Sequence, residues 1–343
     1  MLGTEGHNAA SGVPLSRARL SDVARLAGVS AKTVSRVISG HDSVSPDTRQ
    51  RVLEAARRLR FRPNHLARDL RRGGVSTTVA FVMGDLRNPF YSQVAAGIEK
   101  TLAEHGLTMI VAATRDDPTQ EERVVAAMLE RRVRSLLLIP IAADQSYLDG
   151  ERQLGTPVVC IDRPAQNLIA DSVVFGNRAG AADAVRSLLA IGHRRIAFVG
   201  SLVHTHRERL AGFRDAMAEA GVEVDPAWER TDASTPAAAQ RAMLELLAAA
   251  EPPTAVLAGN NQASTSVLRA LRDSDRRVAF IGFDDFVLAE TLGISVVAHD
   301  PEDMGRQAVR LALSRHDDLA ATPTQIVLPT RLIQRGSGEI PPS

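Results

Sequence analysis

Short apolar runs in this chain are followed repeatedly by residues that donate, accept or carry charge. Asp85, Arg87 and Asn88 follow Val79-Ala80-Phe81-Val82-Met83, and Arg115 and Asp116 follow Thr108-Met109-Ile110-Val111-Ala112. Asp162 and Arg163 come after Val158-Val159-Cys160-Ile161, Asn260 and Asn261 after Ala255-Val256-Leu257-Ala258, and Asp284 and Asp285 after Val278-Ala279-Phe280-Ile281. Carboxylates, amides and arginines converging on one cleft suit a ligand dense in hydroxyl groups, since each hydroxyl both donates and accepts. A single such pair is ordinary solvated loop, whereas a set at successive strand ends is a candidate site. Asp284-Asp285 does not suit shared acid–base work, because adjacent residues at a strand end point apart. His204-Thr205-His206 has the form of a metal-binding pair but lacks further ligands at fixed spacing, and a mobile loop beside the cleft is the plainer reading. The chain carries no G-x-S-x-G, no G-x-G-x-x-G and no P-loop. No catalytic residue, metal or cofactor is expected, and the chain does not read as an enzyme.

The polar strand ends need a scaffold, and the spacing supplies one. Apolar runs separated by longer amphipathic stretches, with Leu136-Leu137-Leu138-Ile139 and Ile196-Ala197-Phe198-Val199 completing the set, predict parallel, doubly wound α/β sheets. Ligands of such sheets bind beyond the carboxyl ends of the strands. The set divides near residue 175, and Val79-Ala80-Phe81-Val82 is weakly echoed by Ile196-Ala197-Phe198-Val199.

A second chemistry lies ahead of these sheets. Ser21 is placed to cap a helix with Val23, Leu26 and Ala27 on one face, and Gly28 to end it. Ser30 then caps a helix that turns Val34, Val37 and Ile38 inward and leaves Ala31, Lys32, Thr33, Ser35 and Arg36 outward. Ser45-Pro46 starts a third helix, with Val52, Leu53, Ala56 and Leu59 closing the core. This is helix-turn-helix spacing. The small, polar, basic outer face fits the major groove, where arginine and lysine donate to guanine edges or phosphates. Residues 15 to 72 hold 14 Lys or Arg against 5 Asp or Glu, a net of +9, although the whole chain carries +1 and its remainder −8. That basic footprint separates a DNA reader from a generic small helical bundle.

Between the two parts, Leu66 and Leu70 lie at helical spacing among arginines, and Gly73-Gly74 follow. A helix this short is unstable alone. Two readings stand: a hinge helix completed by DNA and by a second copy of itself, with apolar side chains wedged into the minor groove, or a plain linker whose leucines pack on a neighbouring domain.

At 343 residues, with 44% apolar and 24% charged, the chain is of ordinary globular composition and too long for one three-helix domain. The first 17 residues read as a disordered tail. Cys160 is the single cysteine, which excludes an intrachain disulfide and a cysteine-based zinc site. Neither a signal peptide nor a membrane span is visible, so a cytoplasmic protein is expected. A periplasmic or transported solute-binding protein, which the sheets alone would suggest, fits neither that nor the basic head.

The chain resembles the lactose-repressor (LacI/GalR) family of bacterial transcription regulators along nearly its whole length. The motifs are Asp22-Val23-Ala24-Arg25-Leu26-Ala27-Gly28-Val29-Ser30, Thr33-Val34-Ser35-Arg36-Val37, Arg62-Pro63-Asn64 with Leu66-Ala67-Arg68, and Asn88-Pro89-Phe90-Tyr91. They continue in Arg209-Leu210-Ala211-Gly212-Phe213, Ile281-Gly282-Phe283-Asp284-Asp285 and Leu328-Pro329-Thr330-Arg331-Leu332. The resemblance implies an all-α helix-turn-helix domain, a hinge helix that folds on the operator, and a periplasmic-binding-protein-like α/β core of two lobes joined by three crossings. It divides the chain into a tail at 1–17, the helix-turn-helix domain at 18–63, the hinge helix at 64–74, an N-terminal lobe at 75–175 and 299–328, and a C-terminal lobe at 176–298 and 329–343.

The residues it places on DNA are Ser21, Ser30, Ala31, Lys32, Thr33, Ser35 and Arg36, then Asn64, His65, Ala67, Arg68, Leu70 and Arg71 from the hinge. Leu70 matches the family's intercalating leucine, and Ala31 and Lys32 match the positions that choose the operator. For the effector it implies Asn88, Phe90, Tyr91, Asp162, Arg163, Asn177, Arg209, Asn260 and Asp284, to which the strand-end reading adds Arg115. The function implied is a regulator, most simply a repressor, of a carbohydrate-utilisation operon. It would bind pseudo-palindromic double-stranded operator DNA as a homodimer, under a small sugar-like effector. The alternative is a corepressor-dependent regulator answering to a purine, a phosphorylated metabolite or a protein partner. The C-terminal Gly-Ser-Pro tail lacks leucine heptads, which favours a dimer over a tetramer. Three places depart from the family pattern: Asn260-Asn261 for the usual Asn-Asp, Ala233 where many relatives carry a bulky residue, and His299 in place of arginine or glutamine at one crossing.

Overall fold

The computed structural model describes residues 18–39, 43–62, 76–202, 204–274, 276–319 and 321–342. The expected tail at 1–17 and the expected hinge at 64–74 lie outside the described residues. The chain divides into two compact units between Ser76 and Thr77.

The described residues of the first unit form three helices, α1 (Leu20–Ala27), α2 (Ala31–Ile38) and α3 (Pro46–Arg58). Gly28 closes α1 at φ 65°, where its N–H reaches the carbonyls of Ala24 and Arg25. Ser30 Oγ accepts the Thr33 N–H at 3.1 Å, and Ser45 Oγ accepts the Thr48 N–H at 3.4 Å with Pro46 in the first turn. Ser21 is not the cap of α1. The helix starts two residues earlier, with Arg19 in the cap position and its N–H bonded to Asp22 Oδ2 at 2.9 Å. The core is Val23, Ala24, Ala27, Val34, Val37, Val52, Ala55 and Ala56. Leu26 and Leu53, expected inside, are 45% and 39% exposed. At about 100° per residue each lies roughly 100° from the centre of the face its helix buries, and Ala24 and Ala55 take the inward positions instead.

The second unit is built on two six-stranded sheets. The first comprises β1 (Thr78–Met83), β2 (Thr108–Ala113), β3 (Leu136–Leu138), β4 (Val158–Ile161), β5 (Asp171–Phe175) and β11 (Gln325–Leu328), in the order β11-β5-β4-β3-β1-β2. The second comprises β6 (Ile196–Val199), β7 (Glu229–Arg230), β8 (Ala255–Ala258), β9 (Ala279–Phe283), β10 (Ser295–Ala298) and β12 (Arg331–Ile333), in the order β12-β10-β9-β8-β6-β7. β1 and β6 hold the same place in the two orders, so the echo in their sequences marks a structural repeat. At both strands the chain reverses its direction of progress through the sheet, which is where open α/β sheets bind ligands. Pairing is parallel, as the spacing predicts, with one antiparallel pair, β10 with β12. β12 enters directly from β11 in the other sheet, a short passage that leaves no room for a parallel crossover.

Among the described residues, eight α-helices accompany the sheets: α4 (Pro89–Glu104), α5 (Pro118–Leu129), α6 (Asp149–Gln153), α7 (Asn177–Ile191), α8 (His204–Glu219), α9 (Pro236–Ala248), α10 (Asn261–Arg272) and α11 (Pro301–Asp317). α11 returns after the crossing through His299 to pack on the first sheet, where the Arg315 guanidinium chelates the buried Asp171 carboxylate on β5 through Nε at 2.8 Å and Nη2 at 2.6 Å. No described helix is long and apolar enough to cross a membrane.

Candidate functional site

Two surfaces carry the candidate residues. On the first unit, Ser21, Ala31, Lys32 and Arg36 are exposed, and Thr33 and Ser35 are half-buried, on the outer side of a core closed by Val34 and Val37. Ser30 Oγ is already occupied by the Thr33 N–H and by Thr33 Oγ1 at 2.9 Å, so its first role is to start the helix. Asn64, His65, Ala67, Arg68, Leu70 and Arg71 lie outside the described residues.

On the second unit, the carboxyl ends of the two sheets meet across a cleft of about 550 Å³. Asn88 caps α4 by accepting the Phe90 N–H at 3.1 Å, which sets Phe90 and Tyr91 in the first turn against the cleft. Burial pushes the Tyr91 hydroxyl well above its ordinary pKa, so it stays a neutral donor. Asp162 and Arg163 follow β4 as a buried adjacent pair, Nη2 to Oδ2 at 3.0 Å. Across the cleft, Asn260 caps α10 by accepting the Ala263 N–H at 2.8 Å, and Asp284 follows β9.

Arg209, on α8, is 4% exposed. Its Nε donates to Asn177 Oδ1 at 2.8 Å, Nη1 to the Gly259 carbonyl at 2.6 Å, and Nη2 stands 3.5 Å from Asp284 Oδ1. The guanidinium carbon lies 3.7 Å above the Phe283 ring. Asn177 therefore acts behind Arg209 and does not itself line the cleft. Burial alone would raise the Asp284 carboxyl. Arg209, the bond from His299 and the Asn261 N–H outweigh it and hold the group far below the usual carboxylate range.

Asp116, Asp162 and Asp284 all have positive φ, at 56°, 71° and 68°. Left-handed backbone is strained for such residues and gathers at ligand sites. Arg115 shares it at φ 61° but lies outside the cleft lining, while Asp116 enters it; both residues are exposed. A Cβ on Gly84 would stand 1.9 Å from Asp116 Oδ1, so only glycine at the end of β1 lets that carboxylate in.

Several lining residues were not among the expected effector ligands. Ser201, Leu202, Thr205 and His206 come from the start of α8 and the turn before it, Ile141 follows β3, and Ser234 and Gln262 add polar groups. Thr231 and Asp232 reach the cleft, but Ala233 packs in the core of the second sheet, so its methyl does not stand where a ring would stack. His206 is in helix α8 and not in a mobile loop. No cluster of metal-holding residues occurs among those described.

The wall carrying Ile141 rests on a buried carboxylate. Glu121 on α5, at 0% exposure, accepts from the N–H groups of Ile141 and Ala142, from Gln145 Nε2 at 3.0 Å and from the Tyr147 hydroxyl at 2.9 Å. Gln145 Oε1 accepts the Gln166 N–H at 2.7 Å, joining this loop to the one that follows Asp162-Arg163.

His206 Nδ1 accepts from Ser201 N at 2.8 Å and Ser201 Oγ at 2.9 Å, which leaves the ring proton on Nε2. Burial pushes this imidazole down to about 3, with Arg209 acting in the same direction and Asp284 against it. The unfolded ring takes up a proton near pH 6.5 and the folded one does not, so stability is lost as pH falls below about 6.5, by up to about 1.4 kcal/mol per unit. Urea midpoints should fall between about pH 7 and pH 5. His206→Asn keeps an acceptor towards Ser201 and should make that fall shallower; equal slopes would remove His206 as its source.

The chain matches two family models: "Bacterial regulatory proteins, lacI family" over residues 19–64 and "Periplasmic binding protein-like domain" over 185–338. It is 34% identical over 339 residues to the HTH-type transcriptional regulator CelR of Thermobifida fusca, covering 94% of this chain and 98% of that one. A solved CelR–cellobiose complex matches with a TM-score of 0.69 at 33% identity, over 94% of this chain and all of that one. The lac repressor dimer bound to operator and the anti-inducer ONPF matches with a TM-score of 0.83 at 26% identity, over 95% of this chain and all of that one.

Proposed function

Because the chain belongs to the lacI family of bacterial regulatory proteins, we propose that it represses a carbohydrate-utilisation operon and is controlled by a small neutral sugar bound in the cleft of the second unit. The observation that carries this reading is the pairing, in one chain, of an outward basic helix face with a cleft that converges Asn88, Arg163, Arg209, Asn260 and Asp284. α2 presents Lys32 and Arg36 to the major groove, with Ala31 and Ser35 short enough to let the helix approach. Four carboxylates line the cleft, from Asp116, Asp162, Asp232 and Asp284, against the two guanidinium groups of Arg163 and Arg209. That balance disfavours a phosphorylated or otherwise anionic effector and suits hydroxyl groups, which donate to carboxylates and accept from arginine. Among the described residues, Phe90 and Tyr91 are the only rings besides His206 that line it, less than a purine site calls for.

The lac repressor structure described above is of a dimer on its operator. The same arrangement for this chain is a cytoplasmic homodimer reading a pseudo-palindromic site. Effector and operator are then reciprocally coupled, by about 1–3 kcal/mol in typical cases.

Fluorescence anisotropy on labelled duplex from upstream of its own gene, at fixed salt, tests this, with neutral sugars including cellobiose and ribose set against their phosphates. Tight binding released by one neutral sugar is expected. Release by a sugar phosphate alone would overturn the neutral-sugar reading, and absence of specific DNA binding would overturn the repressor. Arg36→Ala should weaken binding and, where Arg36 meets a phosphate, lower the salt slope by about 1. An unchanged affinity and slope would take Arg36 off the DNA.

A further inference from the structure

Two of the positions that depart from the family pattern, Asn261 and His299, meet at one carboxylate. Asp284 Oδ2 accepts the Asn261 N–H at 3.1 Å. Asp284 Oδ1 accepts from His299 Nε2 at 2.8 Å and is the same oxygen that stands 3.5 Å from Arg209 Nη2. The cleft-facing anchor and the crossing thus share a single atom.

His299 also grips the other sheet. Its ring stacks on Phe175 of β5, with centroids 4.0 Å apart and planes at 17°, and stands edge-on to Phe90 at 5.7 Å. The side chain is 2% exposed. Nδ1 is buried with no protein partner, so among the described residues Asp284 is the one group that receives a hydrogen bond from this ring. Beside it, Asn261 Nδ2 donates to Asn88 Oδ1 at 2.8 Å, from the second sheet's helix α10 to the cap of α4 on the first. An aspartate at 261 could not make that bond, since it has no proton to give at neutral pH.

We infer that His299 is a positioning residue that fixes the Asp284 carboxylate from the first sheet's side and, with the Asn261–Asn88 bond, clasps the two lobes at the cleft floor. Asp284 and Asn88 both line the cleft. An occupant that bonds to either draws on the atoms that hold the lobes together, and this is how binding alters their relative position. That consequence rests on the cleft being the effector site; the clasp itself does not.

The test needs neither DNA nor effector. Spin labels at Lys100→Cys on α4 and Glu223→Cys after α8, both exposed, report the distance between lobes, while the native Cys160 is buried and takes no label in the folded chain. His299→Phe keeps a ring against Phe175 but cannot donate to Asp284; His299→Gln restores a donor. With labelled chain diluted into an excess of unlabelled chain, so that a dimer carries at most one labelled copy, the inference predicts a single narrow distance distribution in the parent protein and one broadened at least about twofold, or split, in His299→Phe, with His299→Gln restoring the narrow form. A His299→Phe distribution matching the parent, in a protein with the parent's thermal transition, would overturn it. Should that variant not fold, nitrogen-15 spectra of the full-length parent, with the His299 signal assigned through His299→Gln, decide the matter. A protonated Nε2 supports the clasp and a bare Nε2 sinks it. Failure here leaves the operator experiment untouched, and failure of the operator experiment leaves the clasp standing.

Discussion

Replacing Arg209 by methionine should destabilise the second unit by about 3–5 kcal/mol and weaken effector binding by at least about 100-fold. Methionine fills much of the volume, so the loss is one of charge and hydrogen bonds. Asp284 is left as a buried carboxylate without its guanidinium, Asn177 Oδ1 and the Gly259 carbonyl lose their donors, and the cation above Phe283 disappears. Arg209→Lys should fall between, because an ammonium keeps the charge but cannot reach three partners from one plane. Urea unfolding of the three proteins reads the first effect, and calorimetric titration with the sugar that releases DNA reads the second. A methionine variant within about 1 kcal/mol of the parent would mean that water replaces the lost partners and that the cleft floor is wetter than its burial indicates.

The second large effect is expected at Glu121, which does not line the cleft but holds the loop that carries Ile141 into its wall. Glu121→Leu leaves two backbone N–H groups, Gln145 Nε2 and the Tyr147 hydroxyl without their acceptor, at a cost of about 3–4 kcal/mol, allowing for non-additivity among bonds that share one carboxylate. Glu121→Gln turns an amide NH₂ towards some of those donors and should cost about 2 kcal/mol. Both should also loosen the loop that carries Ile141 and so lower effector affinity, while operator affinity without effector stays within about threefold of the parent. Denaturant titration and anisotropy on the same preparations check the pair of effects. Parent-like stability in the glutamine variant would show that the network repacks around a neutral group.

Helix caps and buried strands were legible because each is a local signal. Ser30, Ser45-Pro46 and Gly28 act within four residues of their own position, and runs such as Val158–Ile161 are apolar on both faces because helices cover both sides of the sheet. The strands that went unseen are short or lie toward a sheet edge. β7 has two residues, β11 exposes two of its four, β12 fully buries none of its three, and β5 opens on Asp171, whose carboxylate is held inside by Arg315 more than a hundred residues away.

The same distinction holds in the cleft. Asn88, Arg209 and Asp284 stand in motifs, so their positions could be named in advance. His206 could not be read as a fixed donor, because what fixes its proton is Ser201 in the turn before its helix. Glu121 sits in a Glu-Glu-Arg stretch that reads as a solvated helix face, and only the returning loop at 141–147 buries it. Arg115 and Asp116 are adjacent and equally polar. Which of them enters is decided by the backbone, where both take left-handed φ and Gly84 makes room for the carboxylate.

The three aspartates with left-handed backbone set a limit on how this molecule can be improved. Glycine would relieve strain of order 1–3 kcal/mol at each place, yet at 162 and 284 it would also take the carboxylate from Arg163 or Arg209, and at 284 the acceptor of His299 and of the Asn261 N–H, losses at least as large. At 116, where burial pushes the carboxyl up and so works against its charge, a selection that rewarded heat resistance alone would find the change early, and it would delete a carboxylate from the cleft. Thermal hardiness and ligand choice are therefore written at position 116 with opposite signs, while at 162 and 284 the strained backbone is held in place by the partners that its carboxylate serves.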